Sequence, residues 1–261
     1  MTLKVGVLGA ANGLVLAVRD VGLCPIAYVT DDAERSGLAS RDVALVDAPA
    51  EFFALLEHPR IHLLDLKPGP AIDGLIDSAY VTMEPGDVVV DVSRSYWGDT
   101  VRRWRRMRHR AIYYVDAALP EGGRADLLVA GDPRAIEIAR PVLTRLARGA
   151  AVLRVGTAGA AHFALQLEEA LGTAMSHARS ELQQLAEAWP GEVNTPLLLQ
   201  TVAPRVGSCA AWVLDDAMHM EAAVPLLAQA VMLEQARRLD EQETSDLPPR
   251  VRGFVRHEDL D

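Results

Sequence analysis

Cysteine is nearly absent from this chain: Cys24 and Cys209 are the two among 261 residues. At most one disulfide can form, which excludes a disulfide-stapled secreted scaffold and makes a reducing cytoplasm the expected setting. The opening stretch from Met1 to Ala11 carries Lys4 and then only a short apolar run, too brief for a signal-peptide core or a membrane span. A membrane is therefore not an expected partner. Positive charge is also scarce, with 26 Lys and Arg against 36 Asp and Glu and a formal charge of -10. Such a surface repels phosphates over most approach angles, so nucleic acid is not expected either, although a small anionic ligand is not excluded. None of the histidines is spaced with cysteines or carboxylates as a metal site requires. Internal repeats and low-complexity segments are missing too. What remains is a chain with 50% hydrophobic residues, long enough for one sizeable domain or for a domain and a smaller partner.

From Leu3 to about Val155, short β-branched runs alternate with helical patterns, the signature of parallel strands joined by crossover helices. Strands are expected at Lys4–Leu8, Ile26–Thr30, Val43–Val46, Ile61–Leu66, Asp87–Val92, Ile112–Asp116, Leu127–Ala130 and Val152–Val155. Helices are expected at Leu14–Val21, Ala50–Leu56, Ala71–Val81, Asp99–Arg108 and Arg134–Leu146. After Gly156 the strands stop, and Ala158 to Trp189 reads as one long helix ended by Pro190-Gly191. Phe163, Leu167, Leu171, Ala174, Ala178, Leu182 and Leu185 recur along it every three or four residues, as a buried face would. Further helices are expected at Pro196–Val202, Ala211–Met220 and Ala222–Leu239. The fold class is thus α/β: an N-terminal Rossmann-like doubly wound sheet, residues 1–156, then an all-α domain built on one long helix, residues 157–261.

Strand, glycine-containing turn and helix together let backbone amides and a helix N-terminus hold a pyrophosphate. Here the turn is Gly9-Ala10-Ala11-Asn12-Gly13-Leu14. Gly9 fits the first glycine of the dinucleotide fingerprint, Ala11 and Leu14 stand at the second and third, and Gly13 comes one place early. A plain tight turn into a structural helix explains these residues equally well. About 20 residues on, where an acid binds the adenosine ribose, stand Asp31 and Asp32. Carboxylates there repel the 2′-phosphate of NADP, so of NAD and NADP the former is preferred. Arg35 would partly offset this, and paired aspartates after a strand also occur simply as turn residues.

Four further stretches follow in order: Lys67-Pro68-Gly69 with Ala71-Ile72-Asp73 and Glu84 to Asp91; Ser93-Arg94-Ser95-Tyr96-Trp97-Gly98-Asp99-Thr100; Gly159-Ala160-Ala161-His162-Phe163; and Trp212-Val213-Leu214-Asp215 with Phe254 and His257. In order and spacing the chain resembles the short, decarboxylating 6-phosphogluconate dehydrogenases of the β-hydroxyacid dehydrogenase superfamily. That resemblance implies an NAD(P)-binding Rossmann domain and a helical domain through which homodimers form. It also implies oxidation of a hydroxyl beside a carboxylated carbon, with a lysine on the long helix as base and acid. The lysine's position is Leu165, the family's asparagine is Glu169, its protonating glutamate is Gly172, its phosphate-binding tyrosine is Thr173, and the histidine before the asparagine is Glu168. A hydrocarbon at Leu165 cannot accept the hydroxyl proton, and such acid–base help is worth about 10²–10⁴-fold per group. The family's own reaction is therefore not expected.

Charge has also arrived nearby. In the family's Gly-Gly-Asn-Ser loop Ser95 is kept, Val92 and Ser93 replace the glycines, and Arg94 replaces the asparagine. At the fourth strand's end, where the family's backbone lies against the nicotinamide, stand Leu66 and Lys67. The expected cofactor-binding residues are Gly9, Ala11, Asn12, Gly13, Asp31, Asp32, Leu66 and Arg94. Glu169 and Lys67 are the catalytic candidates, with Arg94 expected to converge on them, while the alternative is an idle site whose charges are simply solvated. Ser95 and His162, which matches a family residue beside the cofactor, are candidates for the substrate side. By the same resemblance an arginine and a histidine of the tail reach a carboxylate or phosphate of the substrate across a dimer interface; here His257 keeps its spacing, the arginine's place is Val251, and Arg250 and Arg252 flank it, with Arg252 taken as the candidate, unless the tail is merely a frayed end.

The run Arg102 to Arg110 holds six arginines around Trp104. It reads as a solvated helix face or a contact for an acidic stretch such as Glu241–Asp246, rather than as a nucleic-acid site. Three functions remain open from the sequence. The first is an NAD(P)-dependent oxidoreductase for another small substrate, since imine reductases of the same superfamily also lack the lysine. The second is an inactive binding protein that keeps fold and dimer, and the third is a non-redox lyase or isomerase using Glu169.

Overall fold

The computed structural model describes residues 3–9, 12–121, 124–201 and 210–240. The order is β1 (Lys4–Leu8), α1 (Asn12–Asp20), β2 (Cys24–Tyr28), α2 (Asp32–Ala39), β3 (Ala44–Val46), α3 (Phe52–Leu55), β4 (Ile61–Leu64), α4 (Pro70–Tyr80), β5 (Val88–Asp91), α5 (Trp97–Arg108), β6 (Tyr113–Ala118), β7 (Leu127–Ala130), α6 (Pro133–Leu146) and β8 (Val152–Gly156). Four helices follow: α7 (Ala160–Glu187), α8 (Thr195–Thr201), α9 (Ala210–His219) and α10 (Pro225–Asp240). The eight strands form one sheet in the order β3-β2-β1-β4-β5-β6-β7-β8. All neighbours are parallel except β6 and β7. Expected and observed strands agree to within about two residues at most ends, and the α/β class holds.

Both faces of the sheet are covered, which is why its strands are nearly continuous runs of Val, Ile and Leu rather than alternating ones. On one face Val5, Val7, Leu63, Val90 and Val115 pack with Val15 and Val18 of α1 and Ala139 and Leu143 of α6. On the other, Leu8, Leu64, Val89 and Tyr114 pack with Ile72 and Ile76 of α4 and Met107 of α5. Each such aliphatic side chain, fully buried, contributes about 1.5–3 kcal/mol. From β1 the chain moves first to β2 and β3, then returns to β4 on β1's other side. The carboxyl ends of β1 and β4 are therefore a topological switch point, the place where open α/β sheets bind ligands.

One helix escapes the sequence pattern. α2 buries only Leu38, so no apolar stripe announces it, and its start is set instead by Asp31. The basic helix α5 finds its acidic partner in α4: Arg102 and Arg103 bond Asp73, and Arg106 pairs with Asp77. Arg108 lies over Trp104 and Arg110 over Tyr80. The acidic stretch Glu241–Asp246 lies outside the described residues.

The chain divides into two units, residues 1–168 and 169–261, so α7 begins in the first and continues in the second. The stripe along α7 has the expected period, but it is not a buried face: Phe163 is 45% exposed, Leu167 54% and Leu171 62%. Helical periodicity shows that a face is apolar, and the described residues of this chain do not cover it. In the second unit Glu181, nearly buried, crosses from α7 to the start of α10. Its carboxylate accepts the N–H of Leu226 at 2.7 Å and of Leu227 at 2.9 Å. Pro225 needs no such partner, so the cap satisfies the next two orphan donors of that helix. Leu182, Leu185, Trp189, Leu199, Val213 and Met220 line an apolar hollow of about 550 Å³ in this unit.

Candidate functional site

At the switch point Gly9 adopts φ +75°, and its N–H donates to Tyr28 O at 2.9 Å. A Cβ at Gly9 would lie 2.3 Å from Leu66 Cγ, so Leu66 occupies the space that only glycine leaves. Gly9 and Leu66 are thus in contact. Asn12 opens α1, and among the described residues no atom beyond the helix's own backbone and Gly13's chain neighbours lies within 4 Å of where a Cβ at Gly13 would be. Leu14, in the fingerprint's third position, is buried in the core instead of holding helix and sheet apart. Ala11 lies outside the described residues. A tight turn at Gly9 and a helix N-terminus fit a pyrophosphate.

At the end of β2, Asp31 is the N-cap of α2, its carboxylate accepting Glu34 N–H at 2.8 Å, and Asp32 is exposed in the first turn. Arg35 is engaged within the protein. It donates to Val29 O and Val46 O at 3.0 Å each and to Asp47 at 2.5 Å, tying together the ends of β2 and β3.

Beyond β4, Asp65 N–H donates to Leu8 O at 3.1 Å, directly beside Gly9. Burial, and then the nearby charges of Asp91 and Glu34, push the Asp65 carboxyl up to about 6. Lys67 is exposed two residues on. At the end of β5 the buried Asp91 accepts the Ser93 N–H at 2.9 Å, the Ser93 hydroxyl, and the Tyr114 hydroxyl at 2.5 Å. The phenol is held well above its ordinary range by burial and by Asp91. Ser95, also buried, shares a hydrogen bond with Ser93 at 2.8 Å and accepts Arg103 Nη1 at 2.8 Å, while Arg103 itself is anchored on Asp73. Ser95 is thus a structural member of a buried network through its hydroxyl, and its carbonyl accepts Gln166 Nε2 at 3.5 Å. Between the two serines Arg94 sits at φ +58°, a region where L-residues other than Asn and Asp are uncommon. That turn projects its guanidinium onto Glu121.

The start of α7 is fixed by Asp116 of β6, whose carboxylate accepts Gly159 N–H at 2.7 Å, Ala161 N–H at 2.9 Å and His162 N–H at 3.1 Å. Burial raises the Asp116 carboxyl above its ordinary range, against the pull of His162 and these three donors. His162 is fully buried, with Nδ1 2.8 Å from the Thr100 hydroxyl. Leu165 is only 5% exposed. One turn further, Glu168 accepts Arg124 Nε at 2.7 Å, and the rest of that guanidinium donates to the carbonyls of Ala118, Leu119 and Asp126. In the second unit Glu169 is exposed, and its carbonyl accepts the Thr173 hydroxyl at 2.8 Å. Arg252 and His257 lie outside the described residues.

Gly9, Leu66, Lys67, Arg94 and Ser95 therefore all follow carboxyl ends of strands in one sheet. The sequence reading missed Asp65, Asp91, Arg103, Asp116, Glu121 and Arg124. Asp65 and Asp91 did carry a signal, an acid at the end of an apolar strand. Arg103, hidden in a run of six arginines, carried none.

A sheet of this order, with a glycine turn opening a helix at its switch point, defines a Rossmann-type dinucleotide-binding protein. Residues 4–156 match the family model described as the NAD binding domain of 6-phosphogluconate dehydrogenase, and the chain belongs to that family, whose cofactor is a nicotinamide dinucleotide. A Bacillus subtilis (strain 168) protein provisionally named as a 6-phosphogluconate dehydrogenase, YqeC, is 24% identical over 78% of this chain and 80% of its own length. The decarboxylating 6-phosphogluconate dehydrogenase of Cunninghamella elegans is 28% identical over 61% of this chain but only 36% of its own length. The chain thus spans about a third of such long enzymes. Among solved structures, an imine reductase from Myxococcus stipitatus, a variant in complex with NAD+, superposes with a TM-score of 0.69 at 16% identity, covering 95% of this chain and 97% of that one. This last likeness is one of fold.

Proposed function

We propose that the chain is a nicotinamide-dependent oxidoreductase that prefers NAD and acts on a small substrate other than 6-phosphogluconate. The observation that carries this reading is Leu165: at the position matched to the family's catalytic lysine stands a hydrocarbon that is 5% exposed, which can neither take nor return a proton. The bound dinucleotide supplies or accepts the hydride. The chain's own contribution is to hold it, with the turn at Gly9 and the first turn of α1 receiving the pyrophosphate and Asp31 and Asp32 facing the adenosine ribose. Arg35 is committed to two carbonyls and Asp47, so it offers little to a 2′-phosphate, and this supports NAD over NADP. Hydride transfer needs mainly positioning, and Lys67 or Glu169 would handle the accompanying proton. Binding of NAD, NADH, NADP and NADPH followed by thermal shift, with 6-phosphogluconate turnover read at 340 nm, tests this. Stabilisation by NAD or NADH without turnover of the sugar phosphate is expected, and absence of any stabilisation removes the reading.

A homodimer through the helical unit belongs to the same proposal. Leu171, Met175 and Leu182 on α7 and Met232 and Leu233 on α10 are exposed by 37% or more, and the unit holds an open apolar hollow. A second copy covering this surface would complete its core. Sedimentation at micromolar concentration should show a dimer.

A further inference from the structure

Three aromatic rings surround the point where the β5–α5 loop meets the start of α7, all in the first unit. Tyr96 is 55% exposed, Trp97 40% and Phe163 45%. The rings form a continuous series, Tyr96 to Trp97 with centroids 5.5 Å apart and Trp97 to Phe163 at 6.2 Å, edge to face. Two glycines make this possible. A Cβ at Gly98 would lie 2.5 Å from the Tyr96 ring, and one at Gly159, at φ +95°, would lie 2.9 Å from Val101 Cγ2 and 3.2 Å from Trp97 O. The rings are thus held by the close approach of the first turn of α5 to the start of α7. Tyr96 and Trp97 immediately follow Ser95 in the segment after β5, and Phe163 meets them from α7.

Lys67, after β4, is exposed and is kept for the proton, whereas the two arginines near the β5 loop are already engaged with acids. Arg94 is paired with Glu121, and Arg124 spends its guanidinium on Glu168 and three carbonyls. A carboxylate or phosphate drawn to either guanidinium would compete with these acids and meet them as like charges. The π faces of Tyr96, Trp97 and Phe163 need no such exchange. Flat apolar groups and cations both bind such faces favourably.

Resting on the oxidoreductase reading, we infer that Tyr96, Trp97 and Phe163 form a substrate shelf, which takes the flat, apolar body of an uncharged or cationic substrate rather than an acidic one. The three are specificity-determining residues, distinct from any group that moves a proton.

The test uses the full chain with saturating NAD and two matched probes, isoquinoline and isoquinoline-3-carboxylate, with dissociation constants from saturation-transfer NMR. The wild type should bind isoquinoline at least about tenfold more tightly than its carboxylate. W97A and F163A should each weaken isoquinoline by about tenfold, the scale of one lost aromatic contact with its buried area. W97F should retain most of the affinity, and it serves where W97A fails to fold. The inference is overturned if the carboxylate binds as well as isoquinoline, or if isoquinoline does not bind. It is equally overturned if the alanine variants leave isoquinoline binding unchanged, including the case in which they convert a dimer to monomers, which would make the rings a contact between copies. Absence of NAD-induced stabilisation in the wild type, with isoquinoline binding intact, would instead remove the oxidoreductase reading and leave the rings a ligand-binding surface with no substrate role.

Discussion

Replacing Asp65 with asparagine should stabilise the protein at neutral pH and leave its stability at acid pH unchanged. Asp65 follows the four buried residues of β4 and lies between the charges of Asp91 and Glu34, so the folded state resists its ionisation and holds the carboxyl at about 6 against an ordinary 3.8. The folded state therefore keeps the proton longer than the unfolded chain does. Below pH 3.8 both are protonated and the group costs nothing, between 3.8 and 6 the cost grows, and above 6 it is complete. A shift of about two units corresponds to about 3 kcal/mol at 1.36 kcal/mol per unit. Since the side chain is only partly buried, solvent screening reduces the expected gain for D65N to about 1–2 kcal/mol at pH 7. Urea unfolding at pH 7 and at pH 4, followed by circular dichroism, measures the difference. A variant whose advantage is the same at both pH values, or which is less stable at pH 7, would refute the reasoning. An acid kept at such a cost beside Gly9 is also a mark of a functional site. If the pyrophosphate lies there, NAD affinity should weaken as pH rises through about 6 and become flat in D65N.

Other expectations follow from single groups. His62 is buried with neither ring nitrogen bonded among the described residues, and burial, partly opposed by Asp87, lowers it to about 4. Its depressed value means that stability is full above pH 6.5 and falls as pH drops towards 4, by about 3 kcal/mol in all. H62M should lose less stability than the wild type between pH 7 and pH 4.5, and parallel losses would contradict this. E181A strips the cap from Leu226 and Leu227 and should cost about 2 kcal/mol, seen as faster hydrogen exchange at the start of α10, with E181Q intermediate. L171D on the exposed stripe of α7 should turn the proposed dimer into monomers by sedimentation without lowering the melting point of the first unit.

How far the sequence could be read depended on how local each signal was. β1, β4 and β5 were legible because strands covered on both faces are simply runs of branched apolar residues. α2 was not, because one buried leucine makes no stripe and its cap, Asp31, also suits a turn or a ribose ligand. The stripe on α7 was legible as apolar, but its period cannot say whether the covering surface belongs to the same chain. At the site, Gly9 was legible because its positive φ and its contact with Leu66 leave no room for a side chain. Ser95 is a substrate-side candidate by resemblance, and the sequence gives no sign that its hydroxyl also bonds Ser93 and Arg103. That network joins residues from β5, α5, α4 and β6, and no spacing along the chain reveals it. Arg94 was legible as a new charge but not as half of an ion pair, since Glu121 is 27 residues away.

The proposed function, a nicotinamide-dependent oxidoreductase for a substrate other than 6-phosphogluconate, is tested most directly by one calorimetric titration series. The intact chain would be titrated with NAD and with NADP, and each complex then challenged with 6-phosphogluconate. The account predicts binding of NAD, binding of NADP weaker by about tenfold or more because Asp31 and Asp32 meet the extra phosphate, and no heat of binding or turnover with the sugar phosphate. Failure of both dinucleotides to bind, or tight binding and oxidation of 6-phosphogluconate, would contradict it.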